Sequence, residues 1–113
     1  MINKIAILGL GSIGKKYVKL IKNKYPNIDI SIVRSGKEKK YDSYEGYKVF
    51  YSLNEVISSG VEAAIICTPA SQHLDQVVQL IKNDIHFLVE KPLSVSIQLF
   101  LLKFEFLFLI SLM

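Results

Sequence analysis

The residues best placed to do chemistry in this chain are glycines. In the stretch KIAILGLGSIGKKYVKLI, residues 4–21, Gly9, Gly11 and Gly14 fall in the spacing G-x-G-x-x-G, between an apolar run and a helix-like pattern. That spacing suits a backbone that must receive a pyrophosphate. Gly9 permits a tight turn, Gly11 has no side chain where the phosphates approach, and Gly14 lets a helix pack close to the preceding strand. The whole motif, Gly9-Leu10-Gly11-Ser12-Ile13-Gly14, aims the unpaired amides and partial positive charge of a helix start at the anion. A dinucleotide is the ligand this chemistry implies. The competing reading is a tight turn of small residues with no ligand, and the strand-to-helix context argues against it.

Other polar groups fall where such a ligand would lie. The segments CTPASQH, residues 67–73, and EKPLS, residues 90–94, each follow a strand-like run. Both therefore belong to the carboxyl edge of the expected sheet, where open α/β sheets bind ligands. An NAD site ordinarily has an acidic residue at the end of the second strand; here Arg34 stands there, followed by Ser35 and Gly36, with Lys37, Lys39 and Lys40 beyond. Arg34 and Ser35 suit a 2′-phosphate, which favours NADP over NAD, while a plain exposed loop arginine is the alternative. Cys67 reads as an inert, buried small hydrophobe at a strand end. His73 reads equally as a packed helix-start residue or as a ligand contact. Tyr44 and Lys48 match Tyr-x-x-x-Lys, the spacing of a short-chain dehydrogenase pair, but sit in a loop and a strand, so the match is taken as coincidence. No metal-ligand spacing is present in the sequence.

A scaffold of alternating strands and helices must position these groups, and the hydrophobic pattern specifies one. Residues 2–8 form an apolar run suited to a strand buried on both faces. Residues 13–24 repeat apolar positions at helical spacing, and Pro26 supports an end near Tyr25. Residues 28–33 alternate like a strand, residues 34–47 are polar and read as a loop, and residues 48–51 read as a third short strand. Ser52-x-x-Glu55 has capping-box spacing for a short helix that stops at Gly60. A fourth strand over 63–67, a helix over 71–83 and a fifth strand over 86–90 complete the pattern. This alternation predicts right-handed crossovers and a Rossmann-type, doubly wound parallel α/β sheet of order 3-2-1-4-5, in a single domain.

Taken together, GLGSIG, CTPASQH and EKPLS resemble the amino-terminal domain of the Gfo/Idh/MocA oxidoreductases, over roughly residues 2–96. The resemblance implies hydride transfer between a nicotinamide and a hydroxyl-bearing carbon of a sugar-like substrate. It implies that Gly9, Gly11, Ser12 and Ile13 line the pyrophosphate. Thr68, Pro69 and His73 would shape the cofactor cleft beside Cys67, and Glu90 and Lys91 would reach the nicotinamide and substrate, with Pro92 fixing the turn. Lys91 is the expected catalytic residue, its ammonium hydrogen-bonding the reacting oxygen. A surface lysine following a strand is the plainer alternative.

Composition sets the remaining bounds. With 113 residues, 50% of them hydrophobic, the chain suits one globular domain. The net charge of +4 reads mainly as solvated helix and loop lysines, and no aromatic-plus-basic constellation points to nucleic acid. Cys67 is the single cysteine, which fits a reducing cytoplasm. The start MINKIAILGLG is too short and too glycine-interrupted for a secretion leader.

Residues 1–96 are thus assigned to the NAD(P)-binding domain and residues 97–113 to an apolar tail carrying Phe100, Phe104, Phe106 and Phe108. Lys103 and Glu105 argue against a membrane span. The tail reads as the truncated or frameshifted start of a missing substrate domain, and with the exposed sheet it suggests self-association. Three functions are compatible: the cofactor half of an NAD(P)-dependent sugar-type oxidoreductase, a non-catalytic dinucleotide-binding module, and an inactive fragment. The first is the expected one.

Overall fold

The computed structural model describes residues 2–35 and 41–89, and the elements follow the alternation expected of the sequence. In chain order they are β1 (Lys4–Leu8), α1 (Ser12–Lys24), β2 (Asp29–Val33), β3 (Ser43–Tyr44), β4 (Tyr47–Phe50), α2 (Leu53–Ser58), β5 (Ala63–Ile66), α3 (Ala70–Lys82) and β6 (His86–Val89). One sheet runs in the order β3-β4-β2-β1-β5-β6. β1 pairs in parallel with β2 (Lys4↔Asp29 to Leu8↔Val33) and with β5 (Ile5↔Ala63 to Leu8↔Ile66). The β2–β4 and β5–β6 pairs are parallel as well, so these five strands reproduce the expected order.

The sixth strand departs from expectation. Residues 34–47 read as a loop, yet β3 pairs antiparallel with β4 through Ser43↔Lys48 and Tyr44↔Tyr47. The physical reason is the two-residue connection Glu45-Gly46, both at positive φ (48° and 86°), a backbone whose twist matches that of paired strands. Tyr44 and Tyr47, directly opposite each other, pack half-buried against the apolar cluster beneath α1.

β1 shows why an unbroken apolar run becomes a central strand. Alternate side chains point to opposite faces, so Ile7 joins a cluster with Val18, Ile30, Ile32, Val49 and Ile65 under α1, with Ile5 packed alongside. Ala6 and Leu8 join Val56, Ile66, Val77 and Leu80 under α2 and α3. Each fully buried Leu, Ile or Val contributes about 1.5–3 kcal/mol. The helix ends are marked locally. The Ser52 Oγ accepts from the Glu55 N–H (3.1 Å) at the start of α2, and Gly60, at φ +90°, follows its end.

The sheet order reverses at β1: the chain leaves it for β2 on one side, and β5 later returns to its other side. Such a switch point opens a crevice beyond the carboxyl ends of the strands. In this chain the segments that follow β1, β2 and β5 meet there.

Candidate functional site

Glycine geometry builds the first wall of the site. Gly9 leaves β1 at φ +96°, and its N–H donates to the Val33 carbonyl (2.8 Å). A Cβ on Gly9 would lie 3.0 Å from the backbone C and O of Cys67, and one on Gly14 would lie 2.0 Å from the Gly9 carbonyl oxygen. Both positions are therefore held to glycine by the protein itself. Gly11 differs. It caps α1 at φ −81°, ψ −162°, a backbone open to other residues, and a Cβ there would meet nothing within 4 Å. The space over Gly11 is left free, as an approaching ligand requires.

α1 begins at Ser12, has no side-chain cap bond from Gly11 and carries no acidic residue in its first turn. Its first turn has the unpartnered amides and the partial positive charge of any helix start, here beside the bare Gly11 backbone. The Lys15 N–H donates to the Gly11 carbonyl (3.0 Å), closing the helix just behind the turn.

Gly9, Leu10, Gly11, Arg34, Ser35, Cys67, Thr68 and Pro69 together line a cleft of about 440 Å³, a size usual for small-molecule sites. Backbone bonds fix its three rims: the Gly9 N–H donates to the Val33 carbonyl (2.8 Å), the Cys67 N–H to the Leu8 carbonyl (2.8 Å) and the Arg34 N–H to the Phe50 carbonyl (2.9 Å). Cys67 was expected to be buried; it is partly buried, packed against the cluster under α1, and also forms part of the wall.

His73 stands behind the wall rather than in it. It is 4% exposed in the first turn of α3, with Nε2 at 2.6 Å from the Thr68 carbonyl. A carbonyl only accepts, so Nε2 carries the proton and donates. The Thr68 hydroxyl donates to Gln76 Oε1 (2.5 Å), so two residues of α3 hold Thr68 against the cleft. Gln76 escapes sequence reading, because only the folded turn brings it to Thr68.

The remaining expected residues are placed differently. Ser12 lines a neighbouring groove with Lys15, Lys16, Lys19 and Lys22. Ile13 is exposed on the first turn of α1, and Gly14 is buried beneath Gly9. Glu90, Lys91 and Pro92, and the tail 97–113, lie outside the described residues. Among the described residues no group of three or more His, Cys, Asp or Glu could hold a metal, and no helix is long and apolar enough to cross a membrane.

A family model described as an oxidoreductase family with an NAD-binding Rossmann fold matches residues 3–100. Human biliverdin reductase A is 27% identical over 95 residues, covering 82% of this chain and 32% of the relative. scyllo-Inositol 2-dehydrogenase (NAD+) of Bacillus subtilis is 28% identical over 102 residues, covering 84% of this chain and 29% of the relative. The chain thus spans about a third of the length of these curated relatives. Among solved structures, the WlbA dehydrogenase of Bordetella pertussis, in complex with NADH and UDP-GlcNAcA, superposes with a TM-score of 0.74. That match is 21% identical, covers 88% of this chain and 31% of the other, and shows a shared fold.

Proposed function

The chain belongs to the Gfo/Idh/MocA oxidoreductase family, whose NAD-binding Rossmann domain matches residues 3–100, and on that premise we propose that it forms the nucleotide-binding part of an NAD(P)-dependent oxidoreductase. The observation carrying the proposal is the free space over Gly11, at a helix start and inside the cleft, where an added Cβ would meet no described atom within 4 Å. A pyrophosphate fits that place: the backbone of Leu10 and Gly11 lets it approach, and the first-turn amides of Ser12 and Ile13 donate to it. Thr68 and Pro69 form the opposing wall, with His73 bracing Thr68.

The proposed cofactor preference is NADP. Arg34 and Ser35 line the cleft at the end of β2, and a guanidinium recognises a phosphate by paired N–H donors. Bound, the dinucleotide supplies a hydride acceptor or donor. The ammonium of Lys91 is assigned to the reacting oxygen of a sugar-like, hydroxyl-bearing substrate, stabilising charge as the hydride moves, with Glu90 beside it in sequence and Pro92 setting the turn. A dinucleotide-binding module acting with a second chain is the other reading. It rests on the same cleft, whose lining among the described residues runs from Gly9 to Pro69.

Parallel titration of the purified chain with NADPH and NADH tests the proposal, with Gly11→Val as control. Saturable binding that Gly11→Val weakens about a hundredfold is the expected result. A folded chain with no affinity for either nucleotide would overturn it. Turnover of a polyol or sugar separates the oxidoreductase from the binding module.

A further inference from the structure

We propose that Tyr41 and Tyr51 are positioning residues that hold the Arg34 guanidinium ready for a 2′-phosphate, and so set the preference between the two dinucleotides. The inference rests on the cofactor reading above. Arg34 follows β2 directly, and its backbone is tied to β4 through the Phe50 carbonyl (2.9 Å). Its side chain is a different matter: an arginine at a strand end has many rotamers, and ordering it on binding opposes affinity.

The structure supplies a support. The guanidinium carbon lies 5.6 Å from the centre of the Tyr41 ring, within cation–π range. Tyr41 is itself 57% exposed, and a surface ring is a poor platform unless its backbone is fixed. The Tyr51 hydroxyl fixes it twice, donating to the Tyr41 carbonyl (2.7 Å) and accepting from the Tyr41 N–H (3.2 Å). Tyr51 is anchored in turn, packed against the apolar cluster of Ile7, Val18, Ile32 and Val49. Rigidity therefore passes from the core through the Tyr51 hydroxyl to the Tyr41 backbone, then through its ring to Arg34.

Ring contact uses the face of a guanidinium and leaves its N–H edge free for two parallel bonds to a phosphate. Among the described residues, Arg34 has no carboxylate partner to compete for that edge. A support that acts on the 2′-phosphate contact alone leaves a dinucleotide without that phosphate nearly unaffected.

The test is fluorescence titration of the full chain and its variants with NADPH and NADH. Tyr51→Phe removes the hydroxyl and keeps the packed ring; Tyr41→Leu removes the platform at an exposed position, where folding is least at risk. Each is expected to weaken NADPH about three- to fivefold with NADH unchanged, while Tyr41→Phe behaves as wild type. Arg34→Gln should abolish the preference altogether. A wild-type chain that does not prefer NADPH overturns the cofactor reading and this inference with it. A preference lost in Arg34→Gln but kept in both Tyr51→Phe and Tyr41→Leu overturns the inference alone, as does equal weakening of both nucleotides in folded variants.

Discussion

Replacing each glycine of the β1–α1 turn by alanine should separate residues that the fold needs from the one that the ligand needs. In Gly14→Ala the new Cβ would lie 2.0 Å from the Gly9 carbonyl oxygen. The obstacle is backbone, so the turn itself must shift, and a loss of about 3 kcal/mol or more is expected. Gly9→Ala combines a backbone at φ +96° with contacts of 3.0–3.1 Å to Cys67 and Thr68, for a loss of about 2–4 kcal/mol. Gly11→Ala meets nothing within 4 Å and has an ordinary φ of −81°. Its loss should stay below about 1 kcal/mol, the difference between Gly and Ala as helix caps. Against a total stability of about 5–15 kcal/mol, these are separable effects. Affinity should follow the opposite order. A methyl group over Gly11 intrudes on the phosphate and should weaken NADPH about tenfold, and the Val side chain about a hundredfold, or ~1.4 and ~2.7 kcal/mol. Urea melts followed by circular dichroism, paired with nucleotide titration, measure both quantities. The reasoning is refuted if Gly11→Ala unfolds as readily as Gly14→Ala, or if folded Gly11→Val binds as wild type does.

Three other outcomes are expected. Ser52→Ala removes the cap bond to the Glu55 N–H (3.1 Å) and should lower stability by about 1 kcal/mol in a urea melt; Ser52 is not one of the described residues lining the cleft, so the folded variant should keep its nucleotide affinity. His73→Ala leaves the Thr68 carbonyl without its 2.6 Å donor, which should destabilise by about 1–3 kcal/mol and weaken both NADPH and NADH, since Thr68 lines the cleft; a variant with full stability would show that the bond contributes nothing. Lys91→Met should cut turnover by about a hundredfold or more in any assay that detects it, while equilibrium binding of NADPH stays close to wild type. Comparable losses in both measurements would move Lys91 from the chemistry to the cofactor.

Much of the scaffold is legible in local sequence. β1 follows from an apolar run, α1 from helical spacing closed by the Tyr25-Pro26 pair, and the α2 cap from Ser52 and Glu55. The β3–β4 hairpin is not so legible, because Glu45 is an uncommon residue at positive φ and two-residue strands have almost no pattern to read. The turn is supported by packing of Tyr44 and Tyr47 against a cluster that includes Ile7 and Val18, contributed by elements distant in the chain. His73 shows the same limit at the site. Its type suits both packing and ligand contact, and only burial behind Thr68 makes it a brace.

The sequence by itself determined the order of the helices and of every strand except β3, the glycine positions and the residue types at each strand end. Those depend on backbone sterics and on side-chain periods of 2 and 3.6 residues, which near neighbours along the chain control. Only the tertiary structure decided that Gly11, Arg34 and Thr68 face one cleft, that Cys67 joins its wall, and that Tyr51 steadies Tyr41 beneath Arg34. Convergence of that kind depends on the parallel register of β1 with β2 and β5 and on which face each crossover covers, and the local pattern does not encode those distances.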